Sequence, residues 1–237
     1  MQVLLPDGAE LRRAEARHAA TLSLLEGSVS LGALSGTRKS ELQQISSFFF
    51  GKPNEDAAEA ATLTSRDADV FLMINASCIE LPEFERFVNE RAPQGATVVA
   101  FNLELDTARG DLGLPGFPAK ALHARFLSRF KPVLFLRQRS YSKTVNVAPF
   151  LLNYDGAVFR EYPGPWQVML RTDGGELACI AERAQRYALG EAKEEMLAAM
   201  GLNTEAEGST AAFLRRGYKT QTWWEEATDE ASAAWRS

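Results

Sequence analysis

Cysteine is scarce in this sequence. Cys78 and Cys179 lie far apart, and neither has a partner at ligand spacing. That pattern excludes a disulfide framework and a zinc motif, fits a reducing compartment, and reads as two small core hydrophobes. Histidine is equally rare: His18 and His123 both fall in helical patterns without an obvious nucleophile nearby, and there is no G-x-S-x-G elbow. A histidine-based triad is therefore not expected, and neither a metal nor a cofactor is called for. Long apolar runs are missing too. "VFLMI" and "VLFL" are among the longest, far short of the roughly 20 residues that span a bilayer, so any membrane contact is expected to be peripheral. The opening "MQVLLPDG" has neither the apolar segment of a secretory signal nor the Arg/Ser-rich character of a transit peptide.

Acidic residues are absent between Asp111 and Asp155, although the chain as a whole carries a net charge of −5. Lys120, Arg125, Arg129, Lys131, Arg137, Arg139 and Lys143 all fall in that interval. A block of one sign can orient a protein against an anionic surface or partner. Equally, Lys120, Arg125 and Arg129 can form the solvated face of one helix.

What is present suits a sizeable core: 46% of the 237 residues are hydrophobic, enough for one large domain or a domain with appendages. "VLLP" reads as a strand end, residues 9–25 as a helix and "VSL" (29–31) as a short strand; residues 33–66 have no clear order. "DVFLMIN" (69–75), "ATVVAFN" (96–102) and "PVLFLR" (132–137) are apolar runs of strand length, separated by the helical patterns "LPEFERFVNERA" and "AKALHARFLSRF". Such strands predict a mainly parallel, helix-covered, Rossmann-like α/β sheet over residues 1–138. From 139 to 187 the pattern turns antiparallel, with a hairpin at "RTDGGEL", and 188–237 reads as a helical tail including residues 189–201 and 209–217. The expectation is a single α/β domain with an antiparallel β extension and C-terminal helices.

Between "GAVFREY" and "WQVML" lies a stiff corner, Tyr162, Pro163, Gly164, Pro165 and Trp166. The prolines fix φ and remove donors, the glycine permits the bend, and the tryptophan anchors the corner in the core. Catalytic loops and partner-binding lips can look alike, but a structural corner is the simpler reading. In the tail, Trp223, Trp224 and Trp235 either face a partner or fold back into the core.

Ligands in open α/β sheets settle at the carboxyl ends of the strands. Asn75 and Ser77 follow one expected parallel strand, Asn102 and Glu104 another, and Arg137 with Arg139 a third. Together they offer amide, hydroxyl and guanidinium donors to an anionic or hydroxylated ligand; otherwise the asparagines merely close strand ends and the arginines reach solvent. Glu104 and Asp106 are the carboxylates available for general-base chemistry. "GALSGTRKS" (32–40) misses the phosphate-loop register, and "GDLGLPG" (110–116) misses the dinucleotide fingerprint. Phe126, Phe130, Phe135 and Tyr141 interleave with the cations, but at core spacing, so nucleic acid is not an expected partner.

"RFLSRFKPVLFLRQRSYSKTVNVAPFLLNYDGAVFREYPGPWQVML", "GEAKEEMLAAMG" and "FLRRGYKTQTWWEE" resemble the plant, algal and cyanobacterial family called domain of unknown function nineteen-ninety-five, from about "DADVFLMIN" to the C-terminus. The corner "GAVFREYPGPWQVML" is the most specific element. The resemblance implies a chloroplast protein, stromal or thylakoid-associated, linked to photosystem II assembly and without an established catalytic residue set. Members usually carry a further helix and strand ahead of the segment matching "VLLPDGAE", so it also implies a mature or truncated form, or a sheet one element short. The expected function is non-catalytic: binding a client protein of a photosynthetic complex or the thylakoid surface. The alternative is an enzyme or binding protein for a phosphorylated small molecule or nucleotide at the parallel strand ends.

Overall fold

The computed structural model describes residues 1–35, 68–145, 151–203, 220–226 and 230–237. The chain divides into two compact units, Met1–Leu127 and Ser128–Ser237.

The first unit is built on a parallel sheet of order β2-β1-β3-β4, with β1 at Gln2–Asp7, β2 at Ser30–Ser35, β3 at Val70–Met73 and β4 at Thr97–Ala100. Helix α1 (Gly8–Leu24) starts directly from β1, because Asp7 Oδ1 accepts from the N–H groups of Ala9 (2.8 Å) and Glu10 (2.9 Å). Such an N-cap satisfies donors that the first helical turn cannot pair internally. Successive strand residues face opposite sides. Leu5 and its register partner Ala33 pack with Leu11 of α1. Leu4, Phe71 and Met73 point to the other face, where Phe71 meets Phe87 edge-on at 5.1 Å. The central strands β1 and β3 are thus packed on both sides, as their uninterrupted apolar runs predict, whereas Val99 of the edge strand β4 is 37% exposed.

Phe87 belongs to a π-helical turn (Phe87–Arg91) that follows α2 (Leu81–Arg86). Helix α3 (Leu105–Asp111) comes after β4. The expected helix "AKALHARFLSRF" is broken: α4 spans only Ala121–Arg125, Phe126 leaves helical geometry at φ −130°, and Leu127–Arg129 form a 3₁₀ turn. Of the apolar stripe expected on that helix, Leu122, Phe126 and Leu127 are nonetheless buried and Phe130 is half-buried, with Phe126 edge-on to Phe84 at 5.4 Å.

The second unit is an antiparallel sheet of order β5-β6-β7-β8: β5 at Leu134–Thr144, β6 at Leu151–Glu161, β7 at Trp166–Arg171 and β8 at Leu177–Arg183. Here the sequence expectation is corrected. "PVLFLR" is not a third parallel strand but the start of β5, which pairs antiparallel with β6 over its full length. Its apolar opening hides a period of two, in which the odd-numbered positions are half-buried or buried and the even-numbered ones exposed. Helix α5 (Leu189–Ala199) supplies Ala192, Met196 and Leu197 to a core with Tyr154, Trp166 and Val168. Gly156 allows that approach, since a Cβ there would meet Met196 Cε and lie 2.6 Å from the carbonyl oxygen of Met169. The tail folds back. Trp224 and Trp235 are buried and edge-on at 5.5 Å, with Trp223 half-buried. The expected helix at 209–217 lies outside the described residues, as do the later positions of "GALSGTRKS"; Gly32–Ser35 belong to β2.

Candidate functional site

In the parallel sheet, the chain goes from β1 outward to β2 on one side and then crosses to β3 and β4 on the other. Between β1 and β3 the winding therefore reverses, which is where open α/β sheets form a crevice at their carboxyl ends. Asn75, Ser77, Asn102 and Glu104 lie just beyond the ends of β3 and β4. Asn75 (φ 59°), Asn102 (φ 53°) and Glu104 (φ 44°) all adopt left-handed backbone, a conformation that costs most side chains energy and recurs at functional sites.

Their side-chain chemistry is nevertheless that of helix entry. The N–H and Oγ of Ser77 both donate to Glu80, the residue before α2. Glu104 precedes α3 and accepts from Thr107 Oγ1 at 3.3 Å. With Asp7 holding the first turn of α1, the described junctions after β1, β3 and β4 each carry a carboxylate. This rim disfavours a phosphorylated ligand, because the N–H groups that usually cradle phosphate at α1 already bind Asp7.

Asp106, read as a carboxylate available for general-base chemistry, is buried instead, whereas Cys78 is buried as its reading as a small core residue expects. Asp106 pairs with Arg109 at 2.9 Å, both side chains 3% exposed, and Arg109 also donates to the carbonyl of Leu127 at 3.2 Å. A carboxylate so held is a structural counter-ion rather than a base. Burial pushes the Cys78 thiol up to about 12, with Asp111 and Glu80 adding to the effect, so it is an inert core thiol. Cys179, read from sequence as a core residue, is exposed on β8.

The basic block falls across both units. In the first, Arg125 grips Glu85 through two hydrogen bonds of 2.7 and 2.9 Å, and Lys120 lies beside Gly113. In the second, the pleat sets Arg137, Arg139 and Lys143 on the half-buried face of β5, where Lys143 donates to the carbonyl of Leu202. Arg137 is thus in the middle of an antiparallel strand, not at a parallel strand end. Arg129 is exposed at the end of the 3₁₀ turn. Lys131 sits 3.9 Å from the centre of the Tyr162 ring.

Tyr162 begins the corner. β6 ends at Glu161, the Tyr162–Pro163 bond is cis, the N–H of Gly164 donates to the carbonyl of Glu161 at 2.8 Å, and Trp166 opens β7. Trp166 is fully buried, and its indole N–H donates to the carbonyl of Arg236 at 3.1 Å. The anchoring role read from sequence is what the fold displays.

A larger cluster surrounds the corner, and sequence reading missed it. Arg160, 4% exposed, lies 5.4 Å from the Tyr162 ring and 5.2 Å from Trp166. Arg186 lies among Phe135, Trp166, Trp224 and Trp235, at 4.6 to 5.4 Å from their ring centres. The inward-facing alternation of β6, shared by Tyr154, Val158 and Arg160, was the available signal. On the exposed side of the same end stand Val133 (63% exposed), Leu134 (72%) and Leu136 (56%), with the N–H of Tyr162 bound to the carbonyl of Val133 at 2.8 Å.

A family model described as Domain of unknown function (DUF1995) matches residues 1–194. No curated protein matches the chain, and no solved structure does.

Proposed function

The chain belongs to the DUF1995 family of domains of unknown function, and from that premise we propose that it is a non-catalytic biogenesis factor for a photosynthetic complex, photosystem II in a chloroplast, working at the thylakoid surface. The observation that carries this reading is the exposed apolar lip Val133, Leu134 and Leu136 beside the half-exposed Tyr162 and the cation Lys131. Exposed aliphatic side chains flanked by an aromatic ring and a positive charge suit the boundary between lipid and water. No helix among the described residues is long and apolar enough to cross a membrane, so contact through this lip is peripheral. The basic block supports the reading less directly, since Arg125 is bound to Glu85 and Lys143 is buried. Co-sedimentation of the purified protein with thylakoids, and with protein-free vesicles of anionic lipid, tests the proposal. Binding to both that is lost in the double variant L134E/L136E is the expected result. Retention on thylakoids alone identifies a protein client, and binding to neither removes the reading.

A second reading places a phosphorylated small molecule at the parallel strand ends. The left-handed turns at Asn75, Asn102 and Glu104 favour it, while the carboxylates at the same rim count against it. A thermal-shift screen with nucleotides and sugar phosphates decides, with N75A and N102A as controls.

A further inference from the structure

Arg160 is a buried cation of the corner cluster whose hydrogen-bonding capacity is not filled. It sits on the inward face of β6, between Phe135 of β5 and Trp166 of β7 in the strand register. Only 4% of it is exposed, yet Nε and Nη1 have no hydrogen-bond acceptor. No ion pair joins it to a carboxylate among the described residues. The rings of Tyr162 and Trp166 stabilise the face of the guanidinium, but a ring does not satisfy N–H groups that point outward in the guanidinium plane. Burying a charge without a counter-charge is strongly unfavourable, and natural folds keep such a group where something else completes it.

The neighbours indicate what completes it. Lys131 holds its ammonium over the same Tyr162 ring, 3.9 Å from the centre. Arg186 lies 5.2 Å from the Trp166 ring that Arg160 also touches. Three cations therefore converge on two aromatic rings. The Glu161 side chain points to the opposite face of the strand, since adjacent positions alternate. Tyr162, which covers Arg160, is itself 44% exposed, so rotation of this one ring gives a small ligand access.

We propose that the β6–β7 corner is a binding site for a phosphate group, gripped by the Arg160 guanidinium and the Lys131 ammonium with Tyr162 as its movable cover. A guanidinium fork together with an ammonium matches a tetrahedral oxyanion with several acceptor oxygens. The phosphate has two possible sources, a free phosphorylated molecule or a lipid headgroup. The headgroup source rests on the docking reading above; the free source does not, so the two ideas fail separately.

The test uses the full-length protein at constant ionic strength. Inorganic phosphate, titrated against chloride, is expected to raise the melting temperature by several degrees, and K131Q to weaken that response about tenfold, as loss of a charge-assisted hydrogen bond should. R160M is expected to abolish the response while melting at or above the wild-type temperature without phosphate, because it removes a buried charge and keeps the packing. If R160M does not fold, K131Q decides. A lipid source is expected to show instead as binding to phosphatidylglycerol vesicles over phosphatidylcholine vesicles, again lost in K131Q. Phosphate and chloride acting alike, with vesicle binding indifferent to K131Q, overturns the site; so does a phosphate response that K131Q leaves intact.

Discussion

Replacing Asp106 by alanine is expected to be among the most destabilising single changes in the first unit. The carboxylate and Arg109 are each 3% exposed, 2.9 Å apart, and Arg109 also holds the carbonyl of Leu127 at 3.2 Å. Removing one member of such a pair leaves the other charge in a low-dielectric interior, at a cost of about 3–5 kcal/mol. R109M should lose a similar amount. The double variant D106A/R109M removes both charges together, and the cost that remains is chiefly that of the Leu127 carbonyl without its donor, about 1–3 kcal/mol. Urea unfolding of the four proteins, read by circular dichroism, measures the cycle. The double variant should be more stable than either single one. Losses that simply add would falsify the view that the pair is a buried ionic unit, and would return Asp106 to the list of carboxylates available for chemistry.

Three further outcomes follow from local geometry. D7A removes the acceptor for two N–H groups of α1 and should cost about 1 kcal/mol; an unchanged urea midpoint would argue that the cap is dispensable. G156A forces a Cβ against Met196 and to 2.6 Å from the Met169 carbonyl, with an expected cost of about 1–3 kcal/mol. Trimming Met196 to alanine in the same chain should not restore stability, because the carbonyl cannot withdraw. Hydrogen bonding from Arg183, with the N–H of Ala188, outweighs burial and holds the Glu191 carboxyl below its ordinary range. A depressed carboxylate stabilises fully at neutral pH and loses that contribution as pH falls through its folded-state value. Since the side chains are 36% and 47% exposed, R183Q should flatten the acid limb of the stability profile by no more than about 1 kcal/mol.

Much of the architecture was legible because it rests on periodicity. The apolar runs at 69–75 and 96–102 became neighbouring parallel strands, the Leu122/Phe126/Leu127 stripe became core even though its helix broke, and the corner at 162–166 followed from prolines, glycine and a tryptophan. The error at "PVLFLR" had a specific cause: four apolar residues opening a long amphipathic strand look like a short buried one, and only the alternation from Arg137 to Lys143 tells them apart. That single misassignment moved Arg137 to a parallel strand end. Partners distant in sequence were not legible. Glu85 binds Arg125 from forty residues away, and Trp224 and Trp235 surround Arg186 by way of a tail whose return no local pattern encodes.

The docking reading stands on the lip formed by Val133, Leu134 and Leu136, and its most direct test is co-sedimentation of wild-type protein and L134E/L136E with thylakoids at matched salt. Wild-type protein should partition with the membranes and the folded double variant should stay in the supernatant. Equal partitioning of the two proteins, with the variant's fold verified by circular dichroism, contradicts the account.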